Sequence, residues 1–187
     1  MTNKIIELFR NAGLVNSEND QIVLLGTRRI CGALTDLFIA TVWSLILGDI
    51  FVGLLFEISY SVLRIYAGGY HASSAKMCKW LTYISTFICI LIIFMVNVDG
   101  IILHSLVAFF ICLIGVNAPI ENENKPLCKM EKKVYKRKCI AISLGELGLY
   151  AFFTVMELAV YARTVCVAII MVAVGVIFGK QKKKKCF

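Results

Sequence analysis

The sequence predicts an all-α integral membrane protein that crosses the bilayer with about six helices. Of its 187 residues, 59% are hydrophobic, and the mean hydropathy is +0.81. A soluble domain of this length is about 45–50% apolar. The chain has two prolines, and few segments show the period-two alternation that is typical of strands. The length fits one polytopic membrane domain, residues 1–187.

Six segments are long and apolar enough to be candidate spans, since a spanning helix needs about 20 mostly apolar residues. The first two are short and are joined by a Gly-Asp turn, and they carry Asp36 and Glu57. An alternative with four full spans and a first pair that is only partly inserted therefore stays open. The predicted spans are residues 30–47, 50–66, 80–97, 101–117, 139–160 and 164–179, the last two joined by the Tyr-Ala-Arg link at 161–163.

The N-terminal segment, residues 1–29, is predicted to lie at the membrane interface. This segment has apolar residues at helical spacing among charged ones, a pattern typical of an interfacial helix. The apolar residues are Ile5, Ile6, Leu8 and Phe9, and the charged ones are Lys4, Glu7 and Arg10. An ordinary amphipathic helix packed on the rest of the protein is an equally good interpretation. The segment lacks the long apolar region of a signal peptide.

The basic residues predict which side of the membrane each loop faces. Every lysine and arginine except Arg163 precedes the first span, lies in residues 64–79 or 118–138, or follows the last span. Cytosolic loops are enriched in Lys and Arg, so we expect both termini in the cytosol. A partly inserted first pair predicts the same sidedness.

Two basic segments stand out on that side. Segment 118–138 contains both prolines, so it is predicted to begin as an irregular loop and to continue as a basic helix, MEKKVYKRK, into the fifth span. It is either a solvated connector or a docking surface for an acidic peptide. The polybasic tail, residues 180–187, favours contact with anionic membrane lipids, worth about 1 kcal/mol per basic residue.

The eight cysteines predict neither a disulfide framework nor a metal site. They form no CxxC pair and no Cys/His cluster at zinc spacing. Three of them, Cys89, Cys112 and Cys166, lie in apolar runs, where cysteine behaves as a small hydrophobe. Reduced thiols are the default on the cytosolic face. We expect no cofactor and no nucleic-acid partner.

The stretch YAGGYHASSAKMC, residues 66–78, contains the candidate catalytic residues His71 and Cys78. On one straight helix these side chains would share a face but stand about 10.5 Å apart, too far for a hydrogen bond. The histidine must therefore lie in a loop that folds back. Gly68 and Gly69 permit such a bend, and Ser73 or Ser74 is a good N-cap for the helix that follows.

Cys78 is then predicted in the first or second turn of that helix. The partial positive charge of the helix N-terminus, with Lys76 and Lys79, favours a thiolate nucleophile. His71 can accept the thiol proton and return it to a leaving amine. Taken singly, each residue is more often structural, and His104, which lacks a thiol partner, is assigned to packing.

A third group could orient the histidine. The candidates are acids that are costly inside a membrane, and spacing cannot choose among them. Glu57 precedes Arg64 by seven residues on one predicted helix, so these two could form a chain toward the loop. The four candidate acids are Asp36, Glu57, Glu146 and Glu157.

The stretches RIYAGGYHASSAKMC, residues 64–78, and APIENENKPL, residues 118–127, resemble the signatures of the accessory gene regulator protein B (AgrB) family. The resemblance covers nearly the whole chain. The members of that family are bacterial membrane cysteine endopeptidases that process the precursor of a quorum-sensing peptide. The resemblance implies that His71 and Cys78 are catalytic, and it matches the supporting residues Arg64, Gly68 and Gly69, with Ser74 as the cap.

The resemblance also implies a substrate and a place in the cell. The substrate looks like a propeptide with an amphipathic leader, a signal core and an acidic tail, processed at the cytosolic side of the bacterial cell membrane. Backbone N–H groups near Ser74 to Cys78 are the expected oxyanion donors. A homodimer is compatible with this class. The acidic tail is expected to dock on the basic surface of Lys129, Lys132, Lys133, Lys136 and Arg137.

Two other functions are compatible with a protein of this kind. A six-span basic protein could be a small transporter or peptide exporter, but transporters tend to show internal repeats and broken spans, and no repeat relates the two halves. A membrane scaffold that gathers lipids or partners through its basic tail is the other rival. Both predict that peptide processing is independent of Cys78.

Overall fold

We describe the protein from a computed structural model that defines residues 20–70, 72, 74–98, 100–121 and 128–185. These residues form six helices and no strand, and all six helices are long and apolar enough to span a membrane. The architecture confirms the predicted all-α class. The helices are α1 (Asp20–Leu47), α2 (Ile50–Ala67), α3 (Ala75–Met95), α4 (Gly100–Asn117), α5 (Lys129–Val155) and α6 (Ala159–Lys185).

The first four helices lie close to the predicted spans, with one large difference in α1. That helix begins at Asp20 rather than near residue 30, so residues 20–29 of the predicted interfacial segment are helical, and residues 1–19 lie outside the described part. The predicted Gly-Asp turn is confirmed. Gly48 has φ 115°, and the Asp49 side chain caps α2 by accepting from the Phe51 N–H.

The predicted break between the last two spans was wrong. The sequence predicts the link at residues 161–163, where a charge interrupts the apolar run, but α5 ends at Val155 and α6 begins at Ala159. The chain turns at Glu157, which has φ 58°. Arg163 lies inside α6 because its guanidinium reaches the Val96 carbonyl at the end of α3, 2.6 Å away, and so it needs no loop.

Helix α6 is the central element of the bundle, since it packs against α2, α3, α4 and α5. Residues recurring at intervals of three and four place one continuous apolar stripe on a helix. In α6 this stripe is fully buried against the apolar face of α2. The core residues of these two helices include Val165, Ile169, Val172 and Val176 from α6, and Val52, Phe56 and Leu63 from α2.

The outward surface of the bundle is strongly apolar. Large side chains such as Phe38, Trp80 and Ile101 are exposed by 68%, 68% and 81%. A water-soluble protein rarely exposes apolar surface on this scale, whereas lipid tails solvate it. The protein is therefore a multi-pass membrane protein.

The loops and helix ends that carry most of the described basic residues gather at one end of the bundle, which we call the basic end. There Lys180 of α6 donates to Asn117 at the end of α4, and Ile120 donates its N–H to the Ala67 carbonyl at the end of α2. At the opposite end Tyr161 donates to Asp49. The basic residues that the sequence assigns to one side of the membrane therefore lie at one end of the bundle in the structure.

Candidate functional site

Cys78 lies in the first turns of α3, as predicted. Ser74 is the N-cap, with its hydroxyl accepting the Met77 N–H at 3.2 Å. Helix α3 can begin here because the serine satisfies an N–H group that has no partner within the helix. The Cys78 thiol is free and half-buried. Its sulfur therefore sits near a helix N-terminus at the basic end of the bundle.

The two glycines before this helix make the predicted bend. Gly68 and Gly69 have φ values of 73° and 144°, a region that L side chains avoid. A side chain would also be crowded here, since a Cβ on Gly69 would lie 2.5 Å from Arg64 Nη1 and 3.1 Å from the Gly175 carbonyl oxygen. After the bend, Tyr70 donates its N–H to that same Gly175 carbonyl at 2.8 Å. The loop is thus attached to the central helix.

Arg64 holds the same loop from the other side. Its Nη2 donates to the Tyr70 carbonyl at 2.7 Å, and its guanidinium carbon lies 5.7 Å from the centroid of the Tyr60 ring. The guanidinium fits between Gly69 and Gly175, where a Cβ on either glycine would approach its Nη1 to 2.5 Å. Both backbone polar groups of Tyr70 are therefore fixed, directly before position 71.

The residues His71 and Ser73 lie outside the described part of the chain. The contact between the His71 ring and the Cys78 sulfur stays a prediction. The residues described on either side are Tyr70, which Arg64 and Gly175 hold by hydrogen bonds, and Ser74, which is the N-cap of α3. The segment that joins them spans only a few residues between an anchored loop and a capped helix.

Tyr60 lies at the centre of a group of polar residues that we call the Tyr60 cluster. Its phenol is within electrostatic range of Arg64, Glu57, Asp36 and Cys78, so residues from α1, α2 and α3 converge on it. Tyr60 is 7% exposed and stacks on Phe56 with ring centroids 6.0 Å apart. Sequence reasoning missed this residue, because a tyrosine in an apolar run reads as packing.

The structure separates the four acids that spacing could not rank. Asp36 and Glu57 lie close enough to interact with each other and with the Tyr60 phenol, and Lys79 faces Asp36. Glu146 instead faces Ser59 across the α2–α5 contact, and Glu157 lies in the turn at the opposite end. Only the first two acids therefore belong to the Tyr60 cluster.

The predicted chain from Glu57 to Arg64 is not a direct ion pair within the described residues. Glu57 is 4% exposed, and its Oε1 accepts from Ser61 at 2.6 Å. Its Oε2 has no hydrogen-bond partner among the described residues. Tyr60 lies between the carboxyl and the guanidinium in sequence and faces both of them.

Two of the backbone N–H groups that are expected to act as oxyanion donors already form hydrogen bonds. The Met77 N–H bonds to the Ser74 hydroxyl, and the Cys78 N–H donates to the Ser74 carbonyl at 3.0 Å. These two N–H groups belong to the capped first turn of α3. They are therefore unavailable to a substrate oxygen while the helix keeps its cap.

The basic surface begins at the start of α5, where the predicted basic helix is confirmed. Its N-cap is Cys128, which forms a capping box with Glu131. Lys132 pairs with Glu121 at 2.5 Å, so it is not a free docking cation. The other predicted docking residues are exposed: Lys129, Lys133, Lys136 and Arg137.

Further cations from α5 and α6 extend this surface toward the loop. Lys138 lies 5.4 Å from the Tyr66 ring centroid, and Lys182 lies 5.5 Å from that of Tyr70. The sequence showed Lys182 only as part of a polybasic tail. Because α6 continues to Lys185, its last turns carry this lysine beside the candidate site.

The remaining titratable side chains do not form a second site among the described residues. His104 contacts the Tyr150 hydroxyl through Nδ1 at 2.5 Å, in agreement with its assignment to packing. The seven cysteines of the described part are all free, and no group of His, Cys, Asp and Glu there could hold a metal ion.

Fold and site together define a multi-pass helical membrane protein with a free cysteine in the first turns of a helix at the basic end of the bundle. The chain matches the family Accessory gene regulator B over residues 2–178, and it belongs to that family. Family membership places the protein in the processing of the agr quorum-sensing peptide.

Two relatives come from Clostridium perfringens. AgrB-like protein 2 of strain 13 is 28% identical over 172 residues, covering 88% of this chain and 78% of that protein. An AgrB-like protein of strain SM101 is 28% identical over 156 residues, covering 78% of this chain and 70% of that relative. No solved structure matches this chain.

Proposed function

We propose that the protein is a membrane cysteine endopeptidase that removes the C-terminal tail of an autoinducing-peptide precursor and promotes cyclisation of the remaining core. The observation that carries the proposal is the placement of Cys78. Its free thiol stands in the capped first turns of α3, beside a loop that Arg64 and Gly175 fix through Tyr70. Covalent catalysis requires a nucleophile activated by an adjacent base, and His71, which follows Tyr70 in the chain, is the proposed base.

The reaction has two acyl transfers. His71 takes the proton of Cys78, and the sulfur attacks the carbonyl at the end of the core. The C–S bond forms first and gives a tetrahedral oxyanion. The C–N bond then breaks as the carbonyl re-forms, and the tail leaves with its new amine protonated by His71. A cysteine or serine side chain in the core then attacks the thioester, which gives a thiolactone or lactone and restores the Cys78 thiol.

A site within the bundle favours cyclisation over hydrolysis. Water would compete with the core nucleophile for the thioester, and the Tyr60 cluster lies among helices whose outer faces are apolar. Holding the core nucleophile close to the thioester can lower the barrier by about 7–11 kcal/mol. We place the basic end, and with it the site, at the cytosolic face of the bacterial cell membrane because of its lysines and arginines.

The acyl-enzyme itself tests this mechanism. A precursor whose ring-forming cysteine is replaced by alanine can be cleaved but cannot resolve the thioester internally. We expect the leader–core segment to accumulate on Cys78, detected by mass spectrometry and released by hydroxylamine. Tail release without any adduct on Cys78, under conditions where thioesters persist, would contradict covalent catalysis by this residue.

We further propose that the acidic tail of the precursor docks on the basic surface. Lys129, Lys133 and Lys136 are exposed on the first turns of α5, and Lys182 extends the positive charge to the Tyr70 loop. A tail bound there would lead from the site toward solvent. Opposite charges at a rim mainly steer association and orient the partner.

Replacing Lys129, Lys133 and Lys136 together by glutamine is expected to weaken precursor binding in vesicles by about 5–10-fold at low salt. The effect should shrink at high salt because exposed charges are screened over about 10 Å at 0.1 M. Binding of a precursor with a neutralised tail should not respond to the triple substitution. A loss that is equal at both salt concentrations would count against electrostatic docking.

A further inference from the structure

Three residues on one face of α6 lie against the loop that precedes His71. Gly175, Gly179 and Lys182 are spaced by four and three residues, which places them on a single face of the helix. The Gly175 carbonyl accepts the Tyr70 N–H at 2.8 Å, and the Lys182 ammonium lies 5.5 Å from the centroid of the Tyr70 ring. The last turns of α6 therefore form a wall beside Tyr70.

At Gly179 the backbone of the loop lies directly on the backbone of α6. A Cβ at Gly179 would lie 2.8 Å from the Gly69 carbonyl carbon, 3.0 Å from the Tyr70 nitrogen and 3.1 Å from the Gly69 carbonyl oxygen. All three are backbone atoms, which cannot rotate aside as the end of a side chain can. Carbon atoms in ordinary contact stand about 3.5–4.0 Å apart, so a side chain at this position would move the loop from α6 by roughly 1 Å.

The other glycine on this face, Gly175, makes room for a side chain of the site. A Cβ there would lie 2.5 Å from Arg64 Nη1 and 3.7 Å from Arg64 Cζ. The same guanidinium donates to the Tyr70 carbonyl. The two glycines thus admit two parts of one assembly, the arginine at Gly175 and the loop backbone at Gly179.

We propose that Gly175 and Gly179 form a seat for this loop, and that Gly179 is a positioning residue for His71. The seat fixes the backbone of Gly69 and Tyr70 against α6, and His71 is the next residue of the chain. A displacement of Tyr70 is therefore passed on to the base of the reaction. Misplacing a catalytic group by about 1 Å can lower a rate by about 10²-fold. This inference rests on the proposed cysteine endopeptidase.

The test is Gly179→Ala in the full-length protein in lipid vesicles, with a precursor peptide as substrate. We expect kcat for tail release to fall by about 10²-fold while KM changes little, because the basic surface is unaltered. Gly115→Ala is the matched control with unchanged kcat, since Gly115 lies in the last turn of α4 and a Cβ there meets no neighbouring atom within 4 Å. Alanine is the better helix former at both positions, so a difference between the variants comes from the loop.

The rate at which iodoacetamide alkylates Cys78 shows whether Gly179 acts through His71. We expect Gly179→Ala to slow this reaction and His71→Ala to slow it at least as much. Two changes that act through one group are not additive, so Gly179→Ala should have no further effect in the His71→Ala background. Cys128 is exposed at the start of α5 and is the internal reference, whose alkylation should stay constant.

Three results would overturn the proposal: full cleavage by Gly179→Ala, an equal loss in Gly115→Ala, or slowing of alkylation that adds to the effect of His71→Ala. Loss of membrane insertion in Gly179→Ala alone would also do so, because it would assign the glycine to helix packing. If Cys78→Ala cleaved the precursor, the proposed function would fail, whereas the alkylation rates would still test the seat.

Discussion

Replacing Cys78 by alanine is expected to abolish release of the precursor tail, with a rate at least about 10⁴-fold below that of the unaltered protein. Removing a covalent nucleophile leaves only the contribution of binding and of the oxyanion donor, and losses of this size are typical. The substitution removes one sulfur from a half-buried position outside the apolar core, so insertion should persist. The measurement is tail release by mass spectrometry, with membrane insertion and precursor binding followed in parallel.

Cys112→Ala provides the matched control for this experiment. Cys112 is also a free cysteine in a membrane-spanning helix, but it is exposed on the surface of α4. Its loss should leave tail release unchanged. Continued processing by Cys78→Ala would favour the transporter or scaffold interpretations, both of which make processing independent of this thiol.

Replacing Arg64 by lysine is expected to lower turnover by about 10–100-fold while precursor binding stays intact. A hydrogen bond from a charged donor is worth about 1.5–3 kcal/mol, and Arg64 makes one to the Tyr70 carbonyl, 2.7 Å away. Lysine keeps the charge but not the planar guanidinium that lies between Gly69 and Gly175 and covers the Tyr60 ring. The loop before His71 would then be less well fixed.

The chain offers a close control for the arginine. Arg163 also donates to a backbone carbonyl, that of Val96, but at the opposite end of the bundle. Arg163→Lys should cost a similar amount of stability and leave kcat unchanged. If both substitutions reduced turnover equally, the effect would come from general loosening of the bundle rather than from positioning of the loop.

Apolar run lengths gave the number and approximate extent of the helices, because a chain in lipid must satisfy its backbone hydrogen bonds within each helix. The same rule explains the two boundary errors. A helix continues past charged residues when they can reach water or a partner, so α1 includes Arg28 and Arg29. Arg163 likewise stays helical because it binds the Val96 carbonyl.

Local chemistry also predicted much of the candidate site. The bend at Gly68 and Gly69, the cap at Ser74 and the position of Cys78 all depend on residues within one turn or loop. The His71–Cys78 contact stays a prediction. Backbone oxyanion donors near Ser74 were expected too, but the cap that makes the helix begin there takes up two of them.

The sequence by itself determined an all-helical membrane bundle, the basic character of one end, and a cysteine placed at a helix start, because length, hydropathy and capping act over short stretches of chain. Only the tertiary structure decided which distant residues meet: Asp36 with Glu57 and Tyr60, Gly175 against the loop, and Lys182 over Tyr70. Those neighbours depend on how six apolar helices pack against one another. Helices that are apolar on most faces carry little signal in their sequence about which face meets which partner.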